Sequence, residues 1–135
     1  MHLRLDYEDY KKIEGIFSDL GLSDIPCEKL PKMFSSIFED SNLVIECGNG
    51  WAPLLHQMLL ILKQSKTKLK ITFIKESFAV LRVSFHGRDD FSERVIELAV
   101  LASTHICESC GKPGKDRDID GWHKALCDNP QCYAY

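Results

Sequence analysis

Apolar residues recur at helical spacing in four parts of the chain. This spacing predicts helices over residues 7–20, 31–40 and 51–63, and a fourth helix that begins at Asp90. The third pattern is apolar around more than half of its circumference, so we expect that helix at the centre of the core. The residues that form these patterns are Ile13, Ile16, Phe17, Leu20, Met33, Phe34, Ile37, Phe38, Leu54, Leu55, Met58, Leu59, Ile61, Leu62, Val95, Ile96, Ala99 and Val100.

Residues at the edges of these patterns are typical of helix ends. Asp6 can cap the first helix, and Gly21 can end it. Pro31 is tolerated at the first position of the second helix. Asp90, followed three residues later by Glu93, resembles a capping box at the start of the fourth helix.

Alternation of apolar and polar residues predicts two β-strands between the third and fourth helices. The apolar face consists of Leu69, Ile71 and Phe73 in the first strand and of Leu81, Val83 and Phe85 in the second. We expect the turn between them at residues 75–77, and a further short strand or buried segment at residues 43–47. Helices packed on a small antiparallel sheet make the predicted fold α+β.

The last quarter of the chain contains a cysteine pattern typical of a metal site. Cys107 and Cys110 form a C-x₂-C pair, and Cys127 and Cys132 form a C-x₄-C pair sixteen residues later. Four thiolates at this spacing suit one tetrahedral Zn²⁺. Because such a site has no open coordination position, we expect the zinc to be structural. We therefore predict an α+β domain over residues 1–106 and a zinc-ribbon-like module over residues 107–135 packed on it.

Other cysteine and histidine residues leave alternatives for this site. His105 and His123 are spare ligands, and a Cys₃His site that uses His123 is the alternative to four cysteines. Cys27 and Cys47 lie far from the cluster in apolar surroundings. We expect them to be small buried side chains, with a reactive thiol as the alternative.

The segment between the two cysteine pairs contains glycine, proline and alternating charges. It predicts a β-hairpin with Asp120-Gly121 as its turn. We expect Trp122 to pack on the metal knuckles. The alternative for Trp122 is an exposed platform on which a nucleobase stacks.

The net charge of −3 over 135 residues is unevenly distributed. Residues 1–50 carry −5, residues 51–106 carry +3 and residues 107–135 carry −1. Charge alone favours an ordinary solvated surface for the acidic first part, and a docking face for a cationic protein is the other interpretation. The candidate partner-binding residues are Asp6, Glu8, Asp9, Glu14, Asp19 and Asp24.

The basic residues form one cluster in the sequence, which consists of Lys63, Lys66, Lys68, Lys70 and Lys75. These lysines could neutralise phosphates, or they could solvate the outer face and edge of a sheet. Since we expect Ile71 and Phe73 to point inward, no exposed aromatic array accompanies the lysines. We therefore expect no nucleic-acid binding.

Several classes of protein are disfavoured by missing signals. No apolar run approaches the roughly 20 residues that span a bilayer, and the first residues lack the apolar region of a signal peptide. We therefore expect a cytoplasmic protein without membrane contact. The sequence has no H-E-x-x-H, no Walker loop and no nucleophile elbow, so we expect no enzymatic activity.

Three segments together resemble a known set of sequences. Residues 47–51 resemble the helix start CGDGW, residues 74–82 resemble KEKFGGLR, and residues 107–128 resemble CEECGxPG followed by GW and LCDxC. This order recurs in small bacterial and phage proteins with a C-terminal zinc knuckle. The chain departs from the pattern at Ala79, where glycine is usual, and between Cys127 and Cys132, where two residues are inserted.

A compact, acidic protein of this size also resembles the immunity proteins of bacterial toxin systems, such as contact-dependent growth inhibition. That resemblance implies direct binding to a cognate toxin domain, which could be a basic nuclease. The first alternative is a small zinc-ribbon protein of phage origin that binds nucleic acid or has a regulatory role. A further alternative is an accessory module of an enzyme.

Overall fold

Four α-helices and two β-hairpins form the regular structure of the described residues. The computed structural model describes residues 7–18, 20, 25–87 and 89–133. The elements are α1 (Tyr7–Ser18), α2 (Leu30–Met33), α3 (Ala52–Gln64), β1 (Lys70–Ser77), β2 (Val80–His86), α4 (Asp90–Ser103), β3 (Lys115–Ile119) and β4 (Trp122–Leu126). Strands β1 and β2 form one antiparallel sheet, and β3 and β4 form another. This arrangement confirms the predicted α+β class.

Helix α3 lies at the centre of the core, as its broad apolar surface predicted. Its fully buried side chains are Leu54, Leu55, Met58, Leu59 and Leu62. Helix α4 packs against α3 and β2, and α1 packs against α4 through Ile13 and Phe17. None of the helices in the described ranges is long and apolar enough to cross a bilayer.

The second helix is much shorter than predicted. It ends at Met33, and Phe34 leaves the helical conformation with φ −118° and ψ 40°. The carbonyl of Ile37 accepts a 2.8 Å hydrogen bond from the Ile71 amide, and the Glu39 amide donates to the Ile71 carbonyl at 3.0 Å. Residues 37–39 thus pair with the edge of β1 instead of continuing the helix, and Met33 is exposed rather than buried.

A second short segment pairs with the same edge of β1. The Glu46 amide donates to the Ile74 carbonyl, and the Glu76 amide donates to the Glu46 carbonyl, each at 3.0 Å. Ile45 is buried beside this single parallel bridge. The expected segment at residues 43–47 is therefore a buried approach with one bridge, and it brings Cys47 beside the sheet.

The first hairpin corrects two predictions. An irregularity in register between Ile71 and Phe73 turns Ile74 inward, so Phe73 is 41% exposed instead of buried. The expected turn at residues 75–77 is instead paired strand, and the chain reverses at Phe78-Ala79. Both turn residues have positive φ, 52° and 66°, which suits the twist of a two-residue hairpin turn.

Helix α4 is capped one residue earlier than predicted. The carboxylate of Asp89 accepts a 3.2 Å hydrogen bond from the Ser92 amide, and Asp90 is the first helical residue. The Ser92 hydroxyl also donates to the Asp89 carboxylate at 2.9 Å. Asp89 accepts both bonds from Ser92 and is therefore the N-cap, and the first turn of the helix contains the acidic residues Asp90 and Glu93.

Candidate metal centre

The four cysteines of the C-terminal quarter lie together. Their sulfur atoms are all within 4.8 Å of one another, and the Sγ atoms of Cys110 and Cys132 are each 3.6 Å from that of Cys127. Cys107 and Cys110 lie in the turn that follows α4, and the other pair follows β4. This cluster could hold a metal ion.

The second hairpin brings the two cysteine pairs to one place. Strands β3 and β4 pair from Lys115–Leu126 to Ile119–Trp122 around the predicted Asp120-Gly121 turn, where φ is 53° and 88°. The hairpin returns Cys127 to the first knuckle, since its two strands have equal length. The local turn chemistry was therefore sufficient to predict this part of the site.

Arg117 and Tyr133 support the second cysteine pair from outside. The Arg117 Nε donates to the Leu126 carbonyl at 3.1 Å, and its guanidinium pairs with Asp128. The guanidinium lies 5.9 Å from the centroid of the Tyr133 ring, and the Tyr133 hydroxyl donates to the Cys127 carbonyl at 2.9 Å. These contacts fix the backbone on both sides of Cys127.

Backbone amides adjust the acidity of the sulfurs. Burial by itself would raise the pKa of the Cys107 thiol, but amides of Cys110, Cys127 and Ser109 outweigh it and lower the pKa to about 7. Burial and the neighbouring sulfurs raise the pKa of Cys110 to about 12. The cluster therefore contains one thiol that loses its proton readily and one that holds it, and a bound ion would have to displace that proton.

The two candidate histidines do not join the cluster. His105 is exposed, and the Nδ1 atom of His123 lies 3.0 Å from the Asp116 carboxylate. The Asp116 contact raises the pKa of the His123 imidazole. Among the described residues, the group that could hold a metal consists of four cysteines, and neither histidine belongs to it.

The glycines before α3 hold the first knuckle. The Gly48 amide donates to the Glu108 carboxylate at 2.8 Å, and the Gly50 amide donates to the Glu108 carbonyl at 2.7 Å. A Cβ on Gly50 would lie only 2.3 Å from the Cys107 carbonyl oxygen. Gly48-Asn49-Gly50 is therefore a flat surface on which the knuckle backbone rests, and the indole of Trp51 adds a 2.9 Å bond to the Ile106 carbonyl.

A buried group of charges lies at the same junction. The Lys124 ammonium is 2.9 Å from the Glu76 carboxylate and 3.8 Å from that of Glu108, and Glu108 is only 8% exposed. Burial raises the pKa of Glu108, while the Gly48 amide and Lys124 oppose that rise. Periodicity gave no sign of this group, because its members come from three distant segments.

The segments that carry the sequence resemblance meet at this junction. Residues 47–51 supply the glycine surface, β1 supplies Glu76, and the first knuckle supplies Glu108. The Gly48 amide binds the Glu108 carboxylate, and Lys124 of the second hairpin lies beside the Glu76 and Glu108 carboxylates. These contacts attach the cysteine cluster to the helical core.

Cys27 and Cys47 also come together, which the sequence did not predict. Their Sγ atoms are 4.0 Å apart, although twenty positions separate the two residues. Cys27 is buried as expected, whereas Cys47 is only partly buried. Among the described residues, they are outside the metal cluster.

The position of Trp122 contradicts the prediction that this side chain packs on the metal knuckles. It is 69% exposed at the end of the second hairpin, where it pairs with Ile119. The apolar space beside the cysteines is filled instead by Leu126, Ile119 and Tyr133. The expected packing of Trp122 on the knuckles is therefore wrong.

The structure tests little of the predicted acidic docking face. Asp6, Asp19 and Asp24 lie outside the described residues, and the side chain of Asp9 does too. Glu8 is exposed on α1, and the Glu14 carboxylate lies 3.7 Å from the Lys11 ammonium. The acidic face remains a prediction.

The lysines of the basic cluster do not share one environment. Lys63 extends over the Phe34 ring, with its ammonium 5.9 Å from the ring centroid, and Lys70 donates to the Ser36 carbonyl. The remaining members, Lys66, Lys68 and Lys75, are exposed. Lys75 lies over the exposed Phe73 ring at 5.2 Å, so an aromatic residue does accompany a lysine here.

Comparison of the chain with protein-family models, with curated proteins and with solved structures finds no match. The zinc-knuckle resemblance and the immunity-protein resemblance both stay predictions.

Proposed function

We propose that this protein is a non-catalytic inhibitor that binds a cognate bacterial toxin domain, as immunity proteins do, and that the tip of the second hairpin makes the contact. The observation that carries the proposal is the 69% exposure of Trp122 at that tip, where Asp120 of the turn is exposed as well. Asp116 and Asp118 of β3 are also exposed in the same hairpin.

The chemistry of this tip favours a basic protein as the partner. Tryptophan is the residue most enriched among interface hot spots, since one side chain buries a large area with little loss of conformational freedom. The exposed carboxylates of the hairpin would attract a cationic surface and repel phosphates. A toxin nuclease, which must be basic to bind its substrate, matches both properties.

We further propose that the four cysteines hold one structural Zn²⁺. An ideal tetrahedron with Zn–S bonds of about 2.3 Å separates its sulfurs by about 3.8 Å. The two Sγ–Sγ separations of 3.6 Å around Cys127 are close to that value. Four sulfur ligands leave no position for substrate or water, which supports a structural role and a non-catalytic protein.

Affinity capture from a native bacterial lysate tests the function. The tagged protein is compared with Trp122→Ala and Asp120→Asn, and Val44→Ala is the matched control because Val44 is an exposed apolar residue that does not belong to the hairpin. Each capture is made with and without added nuclease. We expect one stoichiometric, nuclease-resistant protein that Trp122→Ala loses, Asp120→Asn weakens and Val44→Ala retains.

The captured protein must then be shown to be a toxin. We expect the purified partner to arrest growth or degrade its substrate, and equimolar addition of this protein to block that activity. Metal content of each variant, measured in parallel, shows whether the hairpin remains folded. If Trp122→Ala keeps its metal and captures the partner as well as wild type does, the hairpin is not part of the interface. If the captured partner is not toxic, the protein is not a toxin inhibitor.

A second candidate function is nucleic-acid binding, and the exposed Phe73 beside Lys75 favours it. An aromatic ring for stacking next to an ammonium for phosphate is the pair that single-strand binders use. Binding of this kind weakens steeply with salt. Loss of retention on single-stranded nucleic acid in Phe73→Ala and in Lys75→Glu would support it. Absence of any retention at low salt would exclude it.

A further inference from the structure

The thiols of Cys27 and Cys47 are placed for a reaction with each other. Their Sγ atoms are 4.0 Å apart, and a disulfide requires about 2.05 Å. Two backbone segments are already fastened together here. The Cys27 amide donates to the Asn49 side chain at 3.0 Å, and the Cys27 sulfur lies 3.8 Å from the Gly48 carbonyl. Little movement of the chain is therefore needed to bring the sulfurs together.

The two thiols have different characters, as a reactive pair requires. The hydrogen bond from Cys47 lowers the pKa of the Cys27 thiol, while the same bond and burial raise the pKa of Cys47. Cys27 is 3% exposed, whereas Cys47 is partly open to solvent. The Cys27 sulfur, with its lowered pKa, is thus the better nucleophile, and the Cys47 thiol supplies a proton.

We propose that Cys27 and Cys47 are a redox-active pair that a peroxide oxidises to a disulfide, which fixes the Gly48-Asn49-Gly50 surface beneath the cysteine cluster. The Cys27 thiol loses its proton, the thiolate attacks a peroxide oxygen and the O–O bond breaks, which gives a sulfenic acid and a hydroxide that takes up the released proton as water. The Cys47 sulfur then attacks the sulfenic sulfur, the S–O bond breaks, and its proton leaves with the hydroxide as a second water. The two thiols lose two electrons, and one hydrogen peroxide gains them.

The position of the pair gives the disulfide a consequence. Cys47 directly precedes Gly48, whose amide binds the Glu108 carboxylate, and Glu108 lies between two cysteines of the cluster. A covalent link at Cys47 would reduce the freedom of this segment in the unfolded and partly opened chain. Oxidation of the pair should therefore stabilise the attachment of the cysteine cluster.

Peptide mapping of the metal-loaded full chain tests the proposal. The protein receives hydrogen peroxide in limiting amount, free thiols are alkylated, and trypsin cleaves after Lys12, Lys29, Lys32 and Lys63. We expect a cross-linked pair of peptides, residues 13–29 and 33–63, to form before the metal is lost and to disappear with dithiothreitol. The cross-link should be missing in Cys27→Ser and in Cys47→Ser.

Thermal unfolding of the same samples tests the consequence. Oxidation should raise the midpoint of wild type reversibly and leave that of Cys47→Ser unchanged. If Cys27 and Cys47 stay alkylatable while peroxide releases the metal, the pair is not redox-active. If the cross-link forms and the midpoint stays the same or falls, the disulfide does not fix the surface.

Discussion

The Gly48 amide donates a 2.8 Å hydrogen bond to the carboxylate of Glu108, sixty positions later in the chain. This bond joins the entry to the central helix with the first cysteine knuckle. Glycine is required beside it because the backbones of the two segments touch. The cysteine cluster therefore depends on the helical core for its position, and changes at the junction should affect both.

Substituting Gly50 should weaken the junction strongly. In Gly50→Ala the new Cβ would lie 2.3 Å from the Cys107 carbonyl oxygen and 2.4 Å from that of Glu108, both rigid backbone atoms. We expect a loss of about 3 kcal/mol in the free energy of unfolding, the upper end for an overpacked site. Urea denaturation followed by circular dichroism measures it.

Gly15 provides the matched control for that substitution. It lies inside α1, and a Cβ there would have no neighbour within 4 Å. Gly15→Ala should raise the free energy of unfolding by about 0.5–1 kcal/mol, because alanine favours the helix. Equal effects of the two variants would contradict the close packing at Gly50.

Removing Lys124 should make stability depend on pH. Lys124→Met leaves the Glu76 and Glu108 carboxylates together without their cation, and we expect a loss of about 3 kcal/mol at neutral pH. Glu108 already has a raised pKa, which the variant raises further. Since the folded form then binds the proton more tightly than the unfolded form, stability should recover as pH falls through that raised value.

Lys112→Met is the control, because Lys112 is exposed and outside this charge group. Its stability should follow that of wild type within about 0.5 kcal/mol at each pH. Denaturation curves between neutral pH and about pH 5 compare the three proteins. A deficit in Lys124→Met that stayed constant over this range would show that the carboxylates are not the cause.

The parts of the fold that depend on local signals were predictable from the sequence. The apolar surface of α3 and the Asp120-Gly121 turn both act within a few residues, so periodicity and turn chemistry were sufficient. The C-x₂-C and C-x₄-C spacings likewise identified all four members of the cysteine cluster. The fold class followed from these elements together.

The remaining features depend on contacts between distant segments. Pairing with Ile71 ended the second helix after Met33, although local spacing favoured its continuation. The alternation of apolar and polar residues predicted a buried Phe73, but the register change before Phe73 leaves its ring exposed. The contact between Cys27 and Cys47 and the burial of Glu108 likewise arise only when the chain has folded, and no local pattern records them.

Metal binding should strengthen as pH rises. In the metal-free cluster Cys107 has a pKa of about 7 and Cys110 a pKa of about 12, so an ion that binds four thiolates releases protons. Below about pH 7 Cys107 also holds its proton, and the affinity should fall more steeply there. Competition with a chromogenic zinc chelator at about pH 6 and about pH 8 measures the change.

Variants of the candidate ligands complete that test. Cys107→Ser and Cys127→Ser should lose the ion and loosen residues 107–133, because the small apolar cluster there has few buried members. His105→Ala and His123→Ala should retain one ion per chain, since neither ring joins the sulfurs. Mass spectrometry measures the number of metal ions per chain in each variant. Full metal occupancy in either serine variant would show that the substituted cysteine is not a ligand.

A substitution in the turn of the first hairpin should stabilise the protein. Phe78 adopts φ 52° although its side chain is 74% exposed, so the left-handed conformation is strained and little burial compensates for it. Asparagine tolerates this conformation and is favoured at the first position of such a turn. Phe78→Asn should therefore raise the free energy of unfolding by about 0.5–1 kcal/mol. Phe78→Ala, which removes the ring but keeps the strain, should change it by less than half of that. Thermal and urea unfolding of the two variants separate these outcomes, and a Phe78→Asn protein less stable than Phe78→Ala would show that the exposed ring itself stabilises the hairpin.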